Sequence, residues 1–167
     1  IMAQSLARGL IKNHEVEIIG RDIDKLKNIQ EKMPQIKIKV LEDHEDITNK
    51  NVLFCVKPYA LQSVSARLTG NANILLSILA GTKLETLRKQ IKAKHYIRTM
   101  PNIAASVQNS TTTITGDNEA KIIAMEIFSS IGQAIWVNTE NQLDIATAIA
   151  GSGPAYLALI AEALADG

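Results

Sequence analysis

Cysteine is almost absent from this sequence, and Cys55 is the single thiol among 167 residues. One thiol can form neither an internal disulfide nor a zinc site built from cysteines, so we expect a reducing compartment and a cytoplasmic protein. We interpret Cys55 as a buried strand residue. Histidine is also scarce, and His14, His44 and His95 show no metal-ligand spacing and no neighbouring nucleophile. We therefore predict no metal site.

Aromatic residues make up only 4% of the chain, which argues against base-stacking surfaces for nucleic acid. The net charge of +1 gives no reason to expect a nucleic acid or an anionic membrane as partner. The longest apolar runs, such as residues 74–81, are too short to cross a bilayer, and no signal peptide is visible. What the chain does have is 46% hydrophobic residues, enough to bury the core of one domain, or of one domain plus the start of another.

Short apolar strands alternate with helical segments along most of the chain. We predict strands at residues 16–19, 36–40, 52–56, 74–79, 96–99, 110–115 and 134–137, and helices at 2–11, 22–33, 59–68, 84–91 and 119–130. The strand at 52–56 is apolar throughout, and the one at 74–79 is apolar except for Ser77, as strands buried on both faces are. This pattern indicates an α/β fold with a mostly parallel sheet covered by helices on both faces.

The character of the chain changes at Thr139. Thr139 and Gln142 have the spacing of a capping box, and only helix is predicted beyond them, at 143–150 and 155–165. The last helix is apolar nearly all round, so it needs more chain or another subunit to bury it. We predict two domains, residues 1–138 and 139–167. Both ends of the chain lie within helical patterns, so we expect both domains to be truncated.

A predicted apolar strand ends in Val56, Lys57 and Pro58, and these three residues share one functional interpretation. Ligands in open α/β sheets bind beyond the carboxyl ends of the strands, so this segment is a candidate wall of a cofactor pocket. The alternative is an ordinary surface lysine after a strand.

Gly20, Arg21 and Asp22 follow the strand at 16–19. In dinucleotide-binding folds an acidic residue at such a position accepts from the free ribose 2′-hydroxyl, whereas a nearby arginine accommodates a 2′-phosphate. Asp22 could equally be the N-cap of the following helix. We favour the phosphorylated cofactor, NADPH, and leave NADH open.

Three further turns are candidates for contact with a ligand. Ala80 and Gly81 end a strand, where small residues let a cofactor approach the backbone, but an ordinary turn is as good an explanation. The segment at 100–102, Met-Pro-Asn, is a turn at the same predicted sheet edge. The segment at 151–154, Gly-Ser-Gly-Pro, is a strong helix start whose free amides could bind an anion, although simple capping needs no ligand.

Together, these segments resemble the pyrroline-5-carboxylate reductase family. Four segments match in order: residues 56–58 (VKP), 77–81 (SILAG), 98–102 (RTMPN) and 144–167 (DIATAIAGSGPAYLALIAEALADG). The last is long and specific, whereas the others are short. The resemblance covers essentially the whole chain.

The resemblance implies a Rossmann-like dinucleotide-binding sheet, here without its first strand, followed by the start of an all-α dimerisation domain. It implies reduction of 1-pyrroline-5-carboxylate to L-proline by hydride transfer from NADPH or NADH, the last step of proline biosynthesis, and self-association through the C-terminal helices. It also implies that a glycine-rich loop before residue 1 and a carboxylate-binding Ser-Pro-Gly-Gly segment after Gly167 lie outside this sequence. We therefore expect residues 1–167 alone to be inactive.

Cofactor-binding roles can be carried over from the resemblance to individual positions. Met2 is expected against the pyrophosphate, Gly20 and Arg21 at the adenosine 2′ position, and a last group at the nicotinamide ribose: Val56, Lys57, Pro58 and Ala80. No catalytic residue is assigned. Family members often have Ser, Asn or Ser-Pro where Gly20-Arg21-Asp22 stands, and many have Ser at Ala150.

Two alternatives remain at this point. One is a related NADP-dependent reductase of another small substrate, such as a β-hydroxyacid. The other is a non-catalytic NADP-binding module that senses redox state. The long match at 144–167 speaks against both.

Overall fold

The computed structural model describes residues 2–167, which contain seven α-helices and nine strands. The helices are α1 Met2–Leu10, α2 Ile23–Lys32, α3 Leu61–Ser65, α4 Leu84–Gln90, α5 Lys121–Ser129, α6 Glu140–Ala150 and α7 Gly153–Asp166. The strands are β1 Glu17–Gly20, β2 Lys37–Val40, β3 Glu45–Asp46, β4 Asn51–Phe54, β5 Leu68–Thr69, β6 Ala72–Ser77, β7 Ala93–Met100, β8 Ser110–Gly116 and β9 Gly132–Trp136.

Five strands form the main sheet, in the order β4-β6-β7-β8-β9. All neighbours are parallel except β7 and β8, which are antiparallel. A second sheet consists of β1 and β2, which are also parallel. The predicted mostly parallel sheet is confirmed.

Alternating side chains of β6 show why both faces of the sheet are covered. Ile74 and Leu76 pack on one face with the apolar sides of α1 and α5, in a cluster that includes Leu6 and Phe128. Leu75 points to the opposite face and packs with residues of α3 and α4. Because successive strand residues face opposite ways, a continuous apolar run buries both faces. The two helical layers follow directly from that run.

The open edges of β1 and β4 border one cavity. Among residues 2–167, β1 has a strand partner only on its β2 side and β4 only on its β6 side. A cavity of about 630 Å³ is lined by residues of both strands. In the Rossmann strand order the first strand lies between the second and the fourth, which is the position of this cavity. The expected fold class, a Rossmann-like sheet without its first strand in the described residues, is confirmed.

The predicted helix at 59–68 is wrong in its second half. A 3₁₀ turn, Pro58–Ala60, leads into α3, which ends at Ser65. The following residues turn into β5, which pairs with β3, and neither of these two-residue strands was predicted. Arg67 holds this segment against the chain just after β2, because its guanidinium donates to the Leu41 carbonyl at 2.7 Å and to Asp43 at 2.8 Å. Such a long-range contact outweighs local helical periodicity.

The C-terminal helices begin slightly earlier than predicted. The capping box is confirmed, since the Gln142 amide donates to Thr139 Oγ1 at 3.2 Å and Gln142 Oε1 accepts from the Thr139 amide at 3.3 Å.

In α6 only Leu143 is buried, and in α7 no residue is. The domain boundary at residue 138 stays a prediction.

Candidate cofactor-binding site

The loops that carry the predicted motifs leave one edge of the main sheet. Phe54, Ser77 and Arg98 lie side by side in register near the carboxyl ends of the parallel strands β4, β6 and β7. The segments at 56–58, 80–81 and 100–102 therefore all lie beyond the same edge. This is where open α/β sheets bind ligands.

Lys57 is an exposed cation at this edge. Its backbone carbonyl accepts from the Ala60 amide at 2.9 Å, and Pro58 begins the 3₁₀ turn that follows. No hydrogen bond or ion pair joins the Lys57 ammonium to another residue in the described part of the chain. The turn is thus fixed while the charge stays available for a ligand.

Asp22 is the N-cap of α2. Its Oδ1 accepts from the amides of Asp24 and Lys25, both at 3.1 Å, and Asp22 also pairs with the Lys25 side chain. The hydrogen bonds that Lys25 donates, first from its amide and then from its side chain, lower the pKa of Asp22. The capping interpretation therefore accounts for Asp22.

Arg21 differs from its neighbour. Its side chain is exposed and, within residues 2–167, has no hydrogen-bond or ion-pair partner. Gly20 lies under α2, since a Cβ there would come within 3.2 Å of Leu26 Cδ2. Gly20, Arg21 and Val56 all line the cavity between β1 and β4. The guanidinium is the group at this strand end that is free to meet an anion.

Gly81 shows why the loop after β6 needs a glycine. Its φ of +69° lies in the left-handed region, which side chains with a Cβ rarely adopt. No atom lies within 4 Å of the Cβ position of Gly81, and Ala80 is exposed beside it. The loop therefore presents a small, open backbone surface at the carboxyl edge.

Two other predicted motifs are explained by local structure. Asn102 Oδ1 accepts from the Ala104 amide at 3.2 Å and caps the 3₁₀ turn Ile103–Val107. The segment at 151–154 does begin a helix, with Pro154 in its first turn, but the Ser152 side chain makes no capping hydrogen bond.

Met2 and Cys55 occupy apolar surroundings. Met2 begins α1 and packs against the main core cluster, while Ala3 and Leu6 of the same helix line the cavity. Cys55 also lines the cavity, and burial raises the pKa of its thiol to about 12. A thiol with so high a pKa is a poor nucleophile. Among residues 2–167 there is no group of three or more His, Cys, Asp or Glu side chains that could hold a metal ion.

A charged cluster escaped prediction from the sequence. Arg98 is only 2% exposed and donates from Nη1 to Glu140 Oε1 at 2.5 Å and from Nη2 to Asp144 Oδ1 at 3.0 Å. Lys83 donates to the other Asp144 oxygen at 2.5 Å, and the Leu84 amide donates to Glu140 Oε1 at 3.0 Å. The available signal was an arginine within a buried strand, which needs a partner, and two acids four residues apart on one helix.

Two family models match the chain. Residues 1–81 match one described as "NADP oxidoreductase coenzyme F420-dependent", and residues 140–167 match one described as "Pyrroline-5-carboxylate reductase dimerisation".

Curated relatives and solved structures extend this similarity over the whole chain. A pyrroline-5-carboxylate reductase of Helicobacter pylori is 36% identical over 99% of the chain. A crystal structure of 1-pyrroline-5-carboxylate reductase from Streptococcus pyogenes superposes with a TM-score of 0.83 at 28% identity, over 99% of the chain and 65% of that protein. For the Plasmodium falciparum pyrroline carboxylate reductase with NADP bound, the TM-score is 0.73 at 25% identity, over 99% of the chain and 64% of that protein.

The chain spans less than two thirds of the length of the curated relatives that it matches, from 66% for the Helicobacter pylori protein down to 50% for that of Glycine max. The similarity runs through both the Rossmann-like sheet and the C-terminal helices, and both the sequence and the fold support it. The chain belongs to the pyrroline-5-carboxylate reductase family.

Proposed function

We propose that the protein reduces 1-pyrroline-5-carboxylate to L-proline with a nicotinamide cofactor, in the last step of proline biosynthesis. The observation that carries the proposal is the match of residues 140–167 to the dimerisation family, joined to 36% identity with a named reductase along 99% of the chain. A redox sensor or a reductase of another substrate would share the sheet but has no such support at the helices.

The carboxyl edge of the sheet fits a nicotinamide dinucleotide. Two exposed cations without partners in the described residues, Arg21 and Lys57, suit its phosphate and ribose groups. The open loop at Ala80 and Gly81 allows close approach of a flat ring. When bound, the cofactor supplies the hydride, and the residues of this chain hold and orient it.

The proposed contacts follow the order of the loops. We assign Met2 to the pyrophosphate end, because it lies in the first described turn of α1 and helix starts favour anions. We assign Gly20 and Arg21 to the adenosine 2′ position. The nicotinamide ribose is assigned to the residues at the ends of β4 and β6: Val56, Lys57, Pro58 and Ala80.

We propose NADPH as the preferred cofactor, with NADH as the alternative. Asp22, the acid that could accept from a free 2′-hydroxyl, already accepts from two backbone amides at the start of α2. Arg21 has no such commitment and can bind a 2′-phosphate.

We assign no general acid. A cyclic imine can reach the enzyme already protonated, so reduction needs position more than proton transfer. In this proposal Lys57 fixes the cofactor and does not donate a proton.

The helices α6 and α7 bear on the question of partners. By length and composition the stretch Glu140–Asp166 could cross a membrane, and only 6% of its most apolar 18 residues are buried. The apolar runs named from the sequence were shorter, so this stretch was not among the predicted membrane-spanning candidates. Arg98 anchors its first turns to the sheet, and the match at 140–167 is to a dimerisation family. We therefore propose that a second subunit covers the apolar surface, in a cytoplasmic homo-oligomer.

The deciding experiment follows NADPH oxidation by the full-length protein at saturating 1-pyrroline-5-carboxylate, with NADH in parallel and cofactor binding measured separately. Rapid oxidation with proline as product is expected. Cofactor binding without oxidation would reject the proposal and favour a sensor or another substrate.

A further inference from the structure

We infer that Arg98 is a positioning residue, which holds helix α6 on the carboxyl edge of the sheet through Glu140 and Asp144. We call these three residues, together with Lys83, the edge clamp. The kinetic part of this inference rests on the proposed function, whereas the structural part does not.

The two carboxylates of the edge clamp face the same guanidinium. Glu140 and Asp144 are four residues apart on α6, so they lie one turn apart on one side of the helix. Arg98 reaches one with each of its terminal nitrogens, at 2.5 and 3.0 Å. Because the guanidinium holds two carboxylates on successive turns of the helix, it fixes the rotation of α6 as well as its distance from β7.

The edge clamp also holds the loop that follows Ala80 and Gly81. Lys83, at the N-cap of α4, makes no capping bond with its side chain. Glu140 supplies the missing acceptor, since its Oε1 takes the Leu84 amide at 3.0 Å. Lys83 in turn pairs with Asp144 at 2.5 Å. One helix therefore ties together the loop after β6 and the end of β7.

Little of the C-terminal helices is buried in the described residues. Leu143 is the single buried residue of α6, and α7 has none. Arg98 lies between Ile97 and Thr99, both of which are 1% exposed or less, so its charge needs the two carboxylates. The edge clamp thus places a buried charge, that of Arg98, at the junction of the two predicted domains.

The consequence concerns geometry and not cofactor affinity. The proposed cofactor contacts lie on the sheet, its loops and the start of α1, and none of them lies on α6 or α7. Loosening α6 would leave the contacts proposed for Arg21 and Lys57 in place but let the helices shift against the sheet and the loop after β6. A misplacement of about 1 Å between reacting groups can lower turnover by roughly a hundredfold.

The test uses the full-length protein with Arg98→Met, which keeps length but removes the charge, and Arg98→Lys, which keeps the charge but loses the fork. Arg88→Met is the matched control, since Arg88 is also ion-paired, with Asp117, but does not contact α6. Three quantities are measured: kcat for imine reduction, Kd for NADPH, and hydrogen exchange of peptides that cover residues 80–88 and 139–150.

We expect Arg98→Met to lower kcat roughly tenfold or more, to change the Kd for NADPH less than about twofold, and to speed exchange in both peptides. Arg98→Lys should recover part of kcat, and the control should match wild type in kcat, in the Kd for NADPH and in exchange of the peptide at 139–150, since its own ion pair lies in α4. Combining Arg98→Met with Asp144→Asn should cost less than the product of the single effects, because both remove one interaction.

Unchanged kcat and exchange in Arg98→Met, or a Kd that rises in parallel with the loss of kcat, would overturn the inference. If Arg98→Met does not fold, Arg98→Lys and Asp144→Asn decide by the same criteria. If wild type reduces no imine, the proposed function fails, and the edge clamp is then decided by exchange alone: faster exchange supports it and unchanged exchange rejects it.

Discussion

Gly9 of α1 lies directly against Ser130 at the end of α5. A Cβ added to Gly9 would come within 2.5 Å of the Ser130 carbonyl oxygen and 2.9 Å of Ile131 Cγ2. Backbone atoms cannot rotate away as a flexible side chain can. The two helices on this face of the sheet therefore pack closely only because residue 9 has no side chain.

Gly9→Ala should accordingly destabilise the protein, although alanine favours a helix over glycine by about 1 kcal/mol. Overpacking a core typically costs about 1–3 kcal/mol, so we expect a net loss of about 1 kcal/mol in the free energy of unfolding, measured by urea denaturation. Gly153→Ala is the control and should not lower the free energy of unfolding, since no atom lies within 4 Å of its Cβ position. An alanine variant at position 9 as stable as wild type would show that the contact is loose.

Arg21→Ala should change cofactor discrimination. If the guanidinium binds a 2′-phosphate, its removal should weaken NADPH roughly tenfold or more and leave NADH within about threefold, because a charged hydrogen bond contributes about 1.5–3 kcal/mol. Fluorescence titration of both cofactors measures this. Arg8→Ala, at another exposed arginine, is the control for the loss of one charge. Equal weakening of both cofactors would reject the assignment of Arg21.

Lys57→Ala should behave differently from Arg21→Ala. The nicotinamide ribose is common to both cofactors, so the Kd values of NADPH and NADH should rise together, by roughly tenfold. The matched control is Lys89→Ala, which removes an exposed lysine that pairs with Glu85 on α4. Unchanged affinity for both cofactors would defeat the assignment of Lys57.

Asp144 should make stability depend on pH in acid. Its hydrogen bond from Lys83, and then that from Arg98, lowers its pKa below the usual 3.8. The stabilisation is therefore fully present above about pH 3.8 and is lost as the pH falls through the lowered folded pKa. The difference in unfolding free energy between wild type and Asp144→Asn should shrink as the pH is lowered from about 5 to 2. Asp22 and Asp46 also have lowered pKa values, but both proteins contain them, so they cancel in the difference. A difference that is independent of pH would contradict the prediction.

Much of this fold was predictable because its determinants are close in sequence. The strand at 74–79 was recognised from a continuous apolar run, and the structure has it at Ala72–Ser77. The capping box of Thr139 and Gln142 spans three residues and forms as expected. Periodicity and capping depend on neighbours in the chain, so a single sequence contains them. The resemblance at residues 144–167 led to the family in the same way.

Tertiary structure alone decided what joins distant residues. The pairing of β3 with β5 leaves no periodic signal in two residues. Whether Arg21 or Asp22 was free for a ligand depended on which side chain the start of α2 used. Arg98 meets Glu140 and Asp144 across 42 and 46 residues of chain. The sequence by itself determined the longer elements, their order and the family. The tertiary structure decided these pairings, because a buried charge pairs with whichever opposite charge the packed sheet and helix bring within reach.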